Sequence, residues 1–308
     1  MAVVLITGGT GLVGRALVKA LLEKGYTCIV LTRGTPSGGG NLRYANWDPA
    51  KGLIEEKALA EADYIIHLAG AGVADKRWTA ARKKEILDSR VQSGQLLLHK
   101  LAQVPNKVKA FISASAIGWY GPDPQLPHLR PFTETAPADD SFLGETCKSW
   151  EDSTAGLTGM HIRRVVLRIG IVLSREGGAL GEFLKPIRFG LATVLGNGRQ
   201  VVSWIHRTDL VNMMLYALEN EKLNGVYNAV APAPVSNREL ILTLARERKK
   251  FYLPLKVPSF ILRIMMGEMS IEVLKSATVS ADKITAAGYA FLFPDIQSAV
   301  REELNQTR

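Results

Sequence analysis

The sequence predicts a doubly wound α/β fold, a parallel sheet with helices on both faces, joined to a smaller and mostly helical C-terminal lobe. Three observations predict it. An apolar run, Val3-Val4-Leu5-Ile6, enters a turn with Gly8, Gly11 and Gly14 three apart, and a helical stretch from Ala16 to Lys24 follows, stopped by Gly25. Continuous apolar strands then alternate with helices through the first two-thirds of the chain. The final third changes to amphipathic helices broken by prolines and tight turns. Alternation of this kind builds parallel strand pairs with right-handed crossovers, which puts helices on both faces.

The elements follow in order. Thr27–Thr32 is a second buried strand, and a loop with Gly34, Pro36 and Gly38-Gly39-Gly40 leads to a short strand near Leu42–Trp47. Leu53–Glu61 reads as helix and Tyr64–Ala69 as a continuous apolar strand. Thr79–Val104 is a long helix closed by Pro105. Ala110–Ser115 is the next strand, followed by a proline-rich loop from Pro122 to Pro137, a helix over Phe142–Ala155 and a buried strand at Val165–Ile169. Leu180, Phe183, Leu184 and Ile187 form one helical stripe. Gly196-Asn197-Gly198 is a tight turn before a strand at Val201–Ile205. Asp209–Asn220 is helical and Val226–Ala229 is a strand. Ser236-Asn237-Arg238-Glu239 has the form of a capping box and opens a helix to Lys249. Pro258–Met266 and Pro294–Leu304 are further amphipathic helices. These readings predict a Rossmann-type dinucleotide-binding domain over residues 1–230, with a lobe insertion at about 171–200, and a C-terminal lobe over residues 231–308.

Composition bounds the function. The chain has 308 residues, 47% hydrophobic and 22% charged, enough for one substantial core and a second smaller one. No apolar stretch is long enough to span a bilayer, and the first strand starts too early for a targeting segment ahead of it. Cys28 and Cys147 are too few for a disulfide framework, so a cytoplasmic or other reducing compartment is expected. The net charge of +9 invites a nucleic-acid reading. The basic residues are dispersed, however, and Arg82-Lys83-Lys84 and Arg246-Glu247-Arg248-Lys249-Lys250 read as solvated helical turns. Neither zinc-ligand spacing nor an aromatic-basic motif accompanies them. A multiply anionic small molecule accounts for the charge better. Neither nucleic acid nor membrane is expected as a partner, and no metal. The substrate and the oligomeric state stay open.

The glycine turn carries the chemistry. Strand, glycine turn and helix in succession bring backbone close to a pyrophosphate, and the N–H groups of Leu12, Val13 and Gly14 at the helix start face the anion. Thr7, Gly8, Gly11, Leu12, Val13 and Gly14 are therefore candidate cofactor residues. In such folds the end of the second strand meets the adenosine ribose, where a carboxylate binds a free 2′-hydroxyl and an arginine pairs with a 2′-phosphate. The strand ends Leu31-Thr32-Arg33, and neither Asp nor Glu occurs between Glu23 and Asp48. Thr32 and Arg33 thus select NADP over NAD; the competing reading makes Arg33 a solvent-facing loop cation.

The residues Thr7–Gly14, Asp63–Gly70, Phe111–Gly121 and Trp204–Leu210 are similar to those of the extended and atypical short-chain dehydrogenase/reductases, which include nucleotide-sugar epimerases. Gly70–Val73, Arg77-Trp78-Thr79 and the ending Ala287–Phe291 more closely resemble the subgroup of epimerase family proteins. The resemblance spans essentially the whole chain. It implies that Leu68, Ala69 and Gly70 line the ribose and nicotinamide side of the dinucleotide, and that Arg168-Ile169-Gly170 lies beside the nicotinamide. Arg77 and Arg82 would lie near the cofactor phosphates, or else form a solvated helix start. Arg90 shares a helix face with Ile86, Gly94 and Leu97, so it needs an anionic partner, either a carboxylate or a ligand phosphate. His67, inside an apolar strand, reads as a core histidine, and His206 with Asp209 as a cap at the lobe junction.

Hydride chemistry in that family uses a Ser or Thr together with a Tyr and a Lys four residues apart on one helix. That spacing puts both side chains on one face, where the ammonium lowers the phenol pKa. Here the corresponding helix places Leu143 and Cys147 at those positions and Ala116 at the hydroxyl position. Of the eight tyrosines, Tyr252 alone has a lysine four residues later, and Pro254 separates it from Lys256. The substitutes on offer are Tyr120, Lys148 and Ser115, with Ser113 near the same strand end. The sequence therefore points to an NADP-dependent oxidoreductase acting on CH–OH or carbonyl groups without the usual relay. It leaves open a catalytically silent NADP(H)-binding sensor or interaction protein, and behind that a nucleotide-sugar epimerase.

Overall fold

A computed structural model describes residues 1–34, 38–127 and 130–305. Pro36 of the expected loop therefore lies outside the described residues. The first crossover joins β1 (Val3–Thr7) through α1 (Leu12–Glu23) to β2 (Thr27–Thr32). There follow β3 (Leu42–Asp48), β4 (Leu53–Ile54), α2 (Glu56–Glu61), β5 (Tyr64–His67), α3 (Ala80–Gln103), β6 (Ala110–Ala116), α4 (Phe142–Asp152) and β7 (Arg163–Ile169). Then come β8 (Ile171–Leu173), α5 (Gly178–Arg188), β9 (Leu191–Leu195), β10 (Val201–Val202), β11 (Trp204–His206), α6 (Arg207–Glu219) and β12 (Gly225–Ala229). The chain finishes with β13 (Val235–Ser236), α7 (Asn237–Glu247), β14 (Leu253–Val257), α8 (Ser259–Met266), α9 (Ser270–Leu274), α10 (Asp282–Ala286) and α11 (Ile296–Asn305).

Among the described residues the main sheet has eight strands in the order β12-β7-β6-β5-β1-β2-β3-β4. Every neighbouring pair is parallel except β3 with β4. Strand order reverses between β1 and β5, and ligands of such sheets sit at the carboxyl ends of the strands at that point. The sheet is buried on both faces. Leu17 and Leu21 of α1 pack with Val4, Ile6 and Met214 on one side; Leu97 and Leu101 of α3 pack with Leu5, Ile65 and Phe111 on the other. Two close helix approaches require glycine: a Cβ on Gly14 would stand 2.2 Å from the Gly8 carbonyl oxygen, and one on Gly94 would stand 2.1 Å from Ser153 Oγ.

The structure corrects three sequence readings. Leu53–Glu61 is not one helix, because Ile54 and Leu53 pair antiparallel with Trp47 and Asp48 and the helix begins at Glu56. Val201–Ile205 is two short strands interrupted at Ser203, one pairing with β13 and the other with β8. The lobe is also less purely helical than expected, since β9 and β14, neither of which the periodicity revealed, pair in parallel from Leu191↔Leu253 to Leu195↔Val257.

Leu180, Leu184 and Ile187 of α5 share a core with Leu240 and Leu244 of α7 and with Ile296 and Val300 of α11. The junction with the sheet is polar and buried. Asp209 accepts from the amides of Leu292 (2.8 Å) and Phe293 (2.9 Å), and Tyr289 donates to its carbonyl oxygen at 2.7 Å. His206 caps α6, accepting from Thr208 N through Nδ1, and its Nε2 lies 3.0 Å from Glu303 Oε1. Removing the Asp209 carboxylate strands two amides at this junction. Asp209→Ala is expected to cost about 3 kcal/mol in chemical denaturation, because buried donors left unpaired each cost about 1–3 kcal/mol.

Candidate nucleotide cleft

A cleft of about 810 Å³ opens over the carboxyl ends of β1, β2 and β5. Gly8, Thr32, Arg33, Ala69 and Gly70 line it, so the glycine turn, the end of β2 and the end of β5 meet at one place. Gly8 has φ +68°, and a Cβ there would stand 2.8 Å from Leu68 C and O; only glycine lets the turn lie on β5. Gly11 is the N-cap of α1 and offers no side chain, so the first-turn amides of Leu12, Val13 and Gly14 have neither a side-chain cap nor an i−4 carbonyl. That donor set fits a pyrophosphate. Thr32 turns its hydroxyl onto the Gly34 amide (3.2 Å), while Arg33 is exposed and makes no ion pair among the described residues.

Thr7 lies beneath the turn, fully buried, and does not reach the cleft. Its hydroxyl accepts from the amides of Leu68 and Ala69, both at 3.1 Å, and stands 2.7 Å from His67 Nδ1. Ser93 Oγ donates to Arg90 O at 3.0 Å, so it accepts from His67 Nε2 at 3.3 Å. The ring therefore carries its proton on Nε2, and Thr7 donates to Nδ1. Burial drives the His67 pKa down to about 3, with the Arg90 charge adding to the shift. This histidine is a neutral tie between β1, β5 and α3.

Sequence reasoning missed the α3 side of the cleft. Ala81, Glu85, Asp88 and Gln92 line it at helical spacing, a pattern the sequence does carry. Asp48 and Pro49 line the opposite rim. The Arg82 hydrogen bond, then the charges of Arg82, Lys76 and Arg33, hold the Glu85 carboxyl below its ordinary range. Arg90 stands behind Gly70, where an added Cβ would meet the guanidinium carbon at 3.1 Å. Its Nη1 donates to Ala71 O and Ile86 O, both at 3.0 Å, and the guanidinium lies 4.9 Å from the Trp150 ring centroid. Among the described residues Arg90 has no carboxylate partner, and its Nε and Nη2 have no protein acceptor.

Six predicted site residues sit elsewhere. Arg82 is buried rather than solvated, and its guanidinium is committed to Glu85 and the Gly72 carbonyl, which fixes the turn after β5. Arg77 packs on Gly267, at the end of α8, away from the cleft lining. Arg168 is 2% exposed: Nε and Nη2 pair with Glu151 at 2.8 and 3.0 Å, Nη1 donates to Tyr120 OH and Glu134 O, and the plane lies 3.6 Å from the Trp119 centroid. It belongs to the core. The same network absorbs two of the candidate catalytic groups, since Ser115 Oγ donates to Glu151 Oε1 at 2.7 Å and Tyr120 OH to Asn228 Oδ1 at 2.6 Å. Burial raises the Tyr120 pKa. The third candidate, Lys148, points to solvent and pairs with Asp152 at 3.0 Å.

Leu143 and Cys147 do face the end of β6. A Cβ on Gly118 would meet Leu143 Cβ at 3.2 Å and Cys147 Sγ at 3.5 Å. Burial pushes the Cys147 thiol up to about 11, so it is neither nucleophile nor base. Tyr252 precedes β14 and Lys256 lies within it, which excludes a shared helix face.

Comparison with known proteins follows the same outline. Residues 4–229 match the NAD dependent epimerase/dehydratase family, and residues 257–303 match a domain of unknown function, DUF1731. An epimerase family protein of Staphylococcus saprophyticus is 36% identical over 97% of this chain and 98% of its own length. The crystal structure of a human epimerase family protein with NADPH is 32% identical, with a TM-score of 0.86 over 98% of this chain and 99% of that one. A nucleoside-diphosphate sugar epimerase from Corynebacterium glutamicum is 30% identical with a TM-score of 0.79; 99% of this chain covers 58% of that longer protein.

Two measurements check these placements. Glu151→Gln strands the buried Arg168 guanidinium and is expected to lose about 3–5 kcal/mol of folding stability, whereas Lys148→Ala changes it by less than about 0.5 kcal/mol. The second concerns pH. An unfolded chain protonates His67 near pH 6.5, while the folded protein keeps it neutral to about pH 3. Its contribution is therefore complete above pH 6.5 and is lost as pH falls from there, at up to about 1.4 kcal/mol per pH unit. Stability of His67→Gln, measured by denaturation across that window, should fall less steeply than that of the unsubstituted protein.

Proposed function

The chain belongs to the NAD dependent epimerase/dehydratase family, and from that premise we propose that the cleft beside the glycine turn binds NADP(H). The observation that carries this reading is Arg33, exposed just after β2 and without an ion pair among the described residues; the carboxylates that line the same cleft, Asp48, Glu85 and Asp88, stand on other elements. A guanidinium there favours a 2′-phosphate. The uncapped start of α1 supplies the donors a diphosphate needs, and Gly8 and Gly70 leave the room it needs. Arg90 is a further cofactor contact in this reading, because a half-buried cation bonded to carbonyls and an indole still requires an anion or an acceptor oxygen.

Bound NADP(H) would supply hydride. The chain's own residues bind and orient the nucleotide, but none of those facing the end of β6 is placed to relay the proton that hydride transfer to a carbonyl requires. Leu143 is apolar, Cys147 is a buried thiol, and Tyr120 and Ser115 are bonded into the core. The reading supported best is an NADP(H)-binding protein that lacks the family's Ser/Tyr/Lys relay. Reduction of a carbonyl would then take its proton from water, and oxidation of an alcohol would release its hydroxyl proton to water. The absence of a tyrosine at position 143 weighs against nucleotide-sugar epimerisation.

Titration calorimetry with NADPH and NADH tests the binding reading. The unsubstituted protein should prefer NADPH. Arg33→Ala should weaken NADPH by about 10- to 100-fold, the effect of losing a hydrogen bond between charged groups, and leave NADH unchanged. Arg90→Met should weaken both nucleotides alike. Equal affinity for the two nucleotides, or an Arg33→Ala variant that binds NADPH normally, would overturn the assignment. Single-turnover oxidation of bound NADPH by a panel of carbonyl compounds separates the enzyme from the binder.

A further inference from the structure

The segment from Arg248 to Gly267 contains five basic residues and no acidic one. It runs from the C-cap of α7 through β14 and α8, and much of its apolar surface is uncovered. In the β9/β14 pair, partners in parallel register share a face, and Leu191, Leu253 and Leu255 leave that face apolar and open to solvent, flanked by the exposed rings of Phe189 and Phe251. Leu253 N donates to Gly190 O at 2.8 Å, which holds the two flanks together. Pro258 then turns the chain directly into α8, where Leu262 alone is buried. Phe260 is 61%, Ile264 69% and Met265 71% exposed. Between residues 251 and 265 the large apolar side chains Phe251, Leu253, Leu255, Phe260, Ile261, Ile264 and Met265 are all exposed, a concentration soluble monomers rarely leave bare.

The charges select the partner. Lys249, Lys250, Lys256 and Arg263 are exposed, Arg248 is partly so, and Arg188 adds another exposed cation beside Phe189. None of these six has an ion pair among the described residues. The carboxylates that flank the segment are occupied, Glu247 by Arg301 and Glu268 by Lys83. A second copy docked through the same face would set this cationic surface against itself. The free edge of β14 is also blunted against strand addition by Pro254 and Lys256. Exposed apolar side chains interspersed along the segment with cations that make no ion pair among the described residues instead fit an anionic lipid surface: the apolar side chains reach into the boundary between headgroups and acyl chains, and the flexible cations meet lipid phosphates. We propose that this face docks on an anionic phospholipid bilayer, with α8 lying in the interface. The sequence reading that expected no membrane partner rested on the lack of a spanning segment. A helix lying in the interface needs none.

Co-sedimentation of the full chain with vesicles tests the proposal. Phosphatidylcholine vesicles containing phosphatidylglycerol should carry the protein down, and vesicles of phosphatidylcholine alone should not. Binding should fall at least tenfold when salt is raised to 0.5 M, as screening at that strength requires (~4 Å Debye length). Ile264→Glu and, separately, Lys249→Glu/Lys250→Glu should each reduce it at least tenfold while NADPH affinity and melting temperature stay unchanged, which shows that the fold is intact. Several results would overturn the proposal: no sedimentation with anionic vesicles, equal sedimentation with neutral ones, or undiminished binding by either variant. So would a dimer in solution that Ile264→Glu dissociates, with no vesicle binding, because the face would then be a contact between copies.

Discussion

The nucleotide cleft depends on how closely the glycine turn lies on the end of β5. Thr7 sets that distance from below. One hydroxyl takes the first two amides beyond β5 and gives its proton to His67, while the left-handed Gly8 rests on the same stretch of backbone from above. Strand, turn and neighbouring strand are thereby tied before any ligand arrives. The cleft, the uncapped start of α1 and the reach of Arg33 all follow from this clamp. Its hydrogen bonds are complete without a charge, which is why a neutral imidazole suits it.

A second buried assembly governs what the site can do. Arg168, Glu151, Tyr120, Ser115 and Asn228 form one hydrogen-bonded network linking β6, β7, β12 and α4. Polar groups that would look catalytic on an exposed strand end are fully employed here. Bidentate pairing and stacking on Trp119 repay the desolvation of the guanidinium. The polarity next to the family's reaction centre therefore serves packing, and the surface that faces the cofactor side of α4 is Leu143 and Cys147.

Much of this was legible in the sequence, for identifiable reasons. The glycine turn, the end of β2 at Arg33 and the length of α3 come from local chemistry and periodicity, which survive folding unchanged. The Arg168 reading failed because its partner, Glu151, lies on another element, and sequence order gives no distance between them. The same argument applied to Arg90, a cation on an apolar face in need of an anion, would have flagged Arg168 as buried. Leu191–Leu195 escaped as a strand because it pairs with a segment some sixty residues later, and that segment carries Pro254, which argues against a strand. Arg82 was misread in both directions; its acceptors are a backbone carbonyl and a neighbour three residues on, neither visible from composition.

The β9/β14 pair has a consequence for how such a chain can be reshuffled in evolution. One strand lies within the part that matches the epimerase/dehydratase family and the other begins just before the part that matches DUF1731. Their pairing, and the core that α5 shares with α7 and α11, run across that border. The two matches are therefore not interchangeable cassettes. A recombination event at the border would hand each descendant one strand of a pair and part of a hydrophobic core.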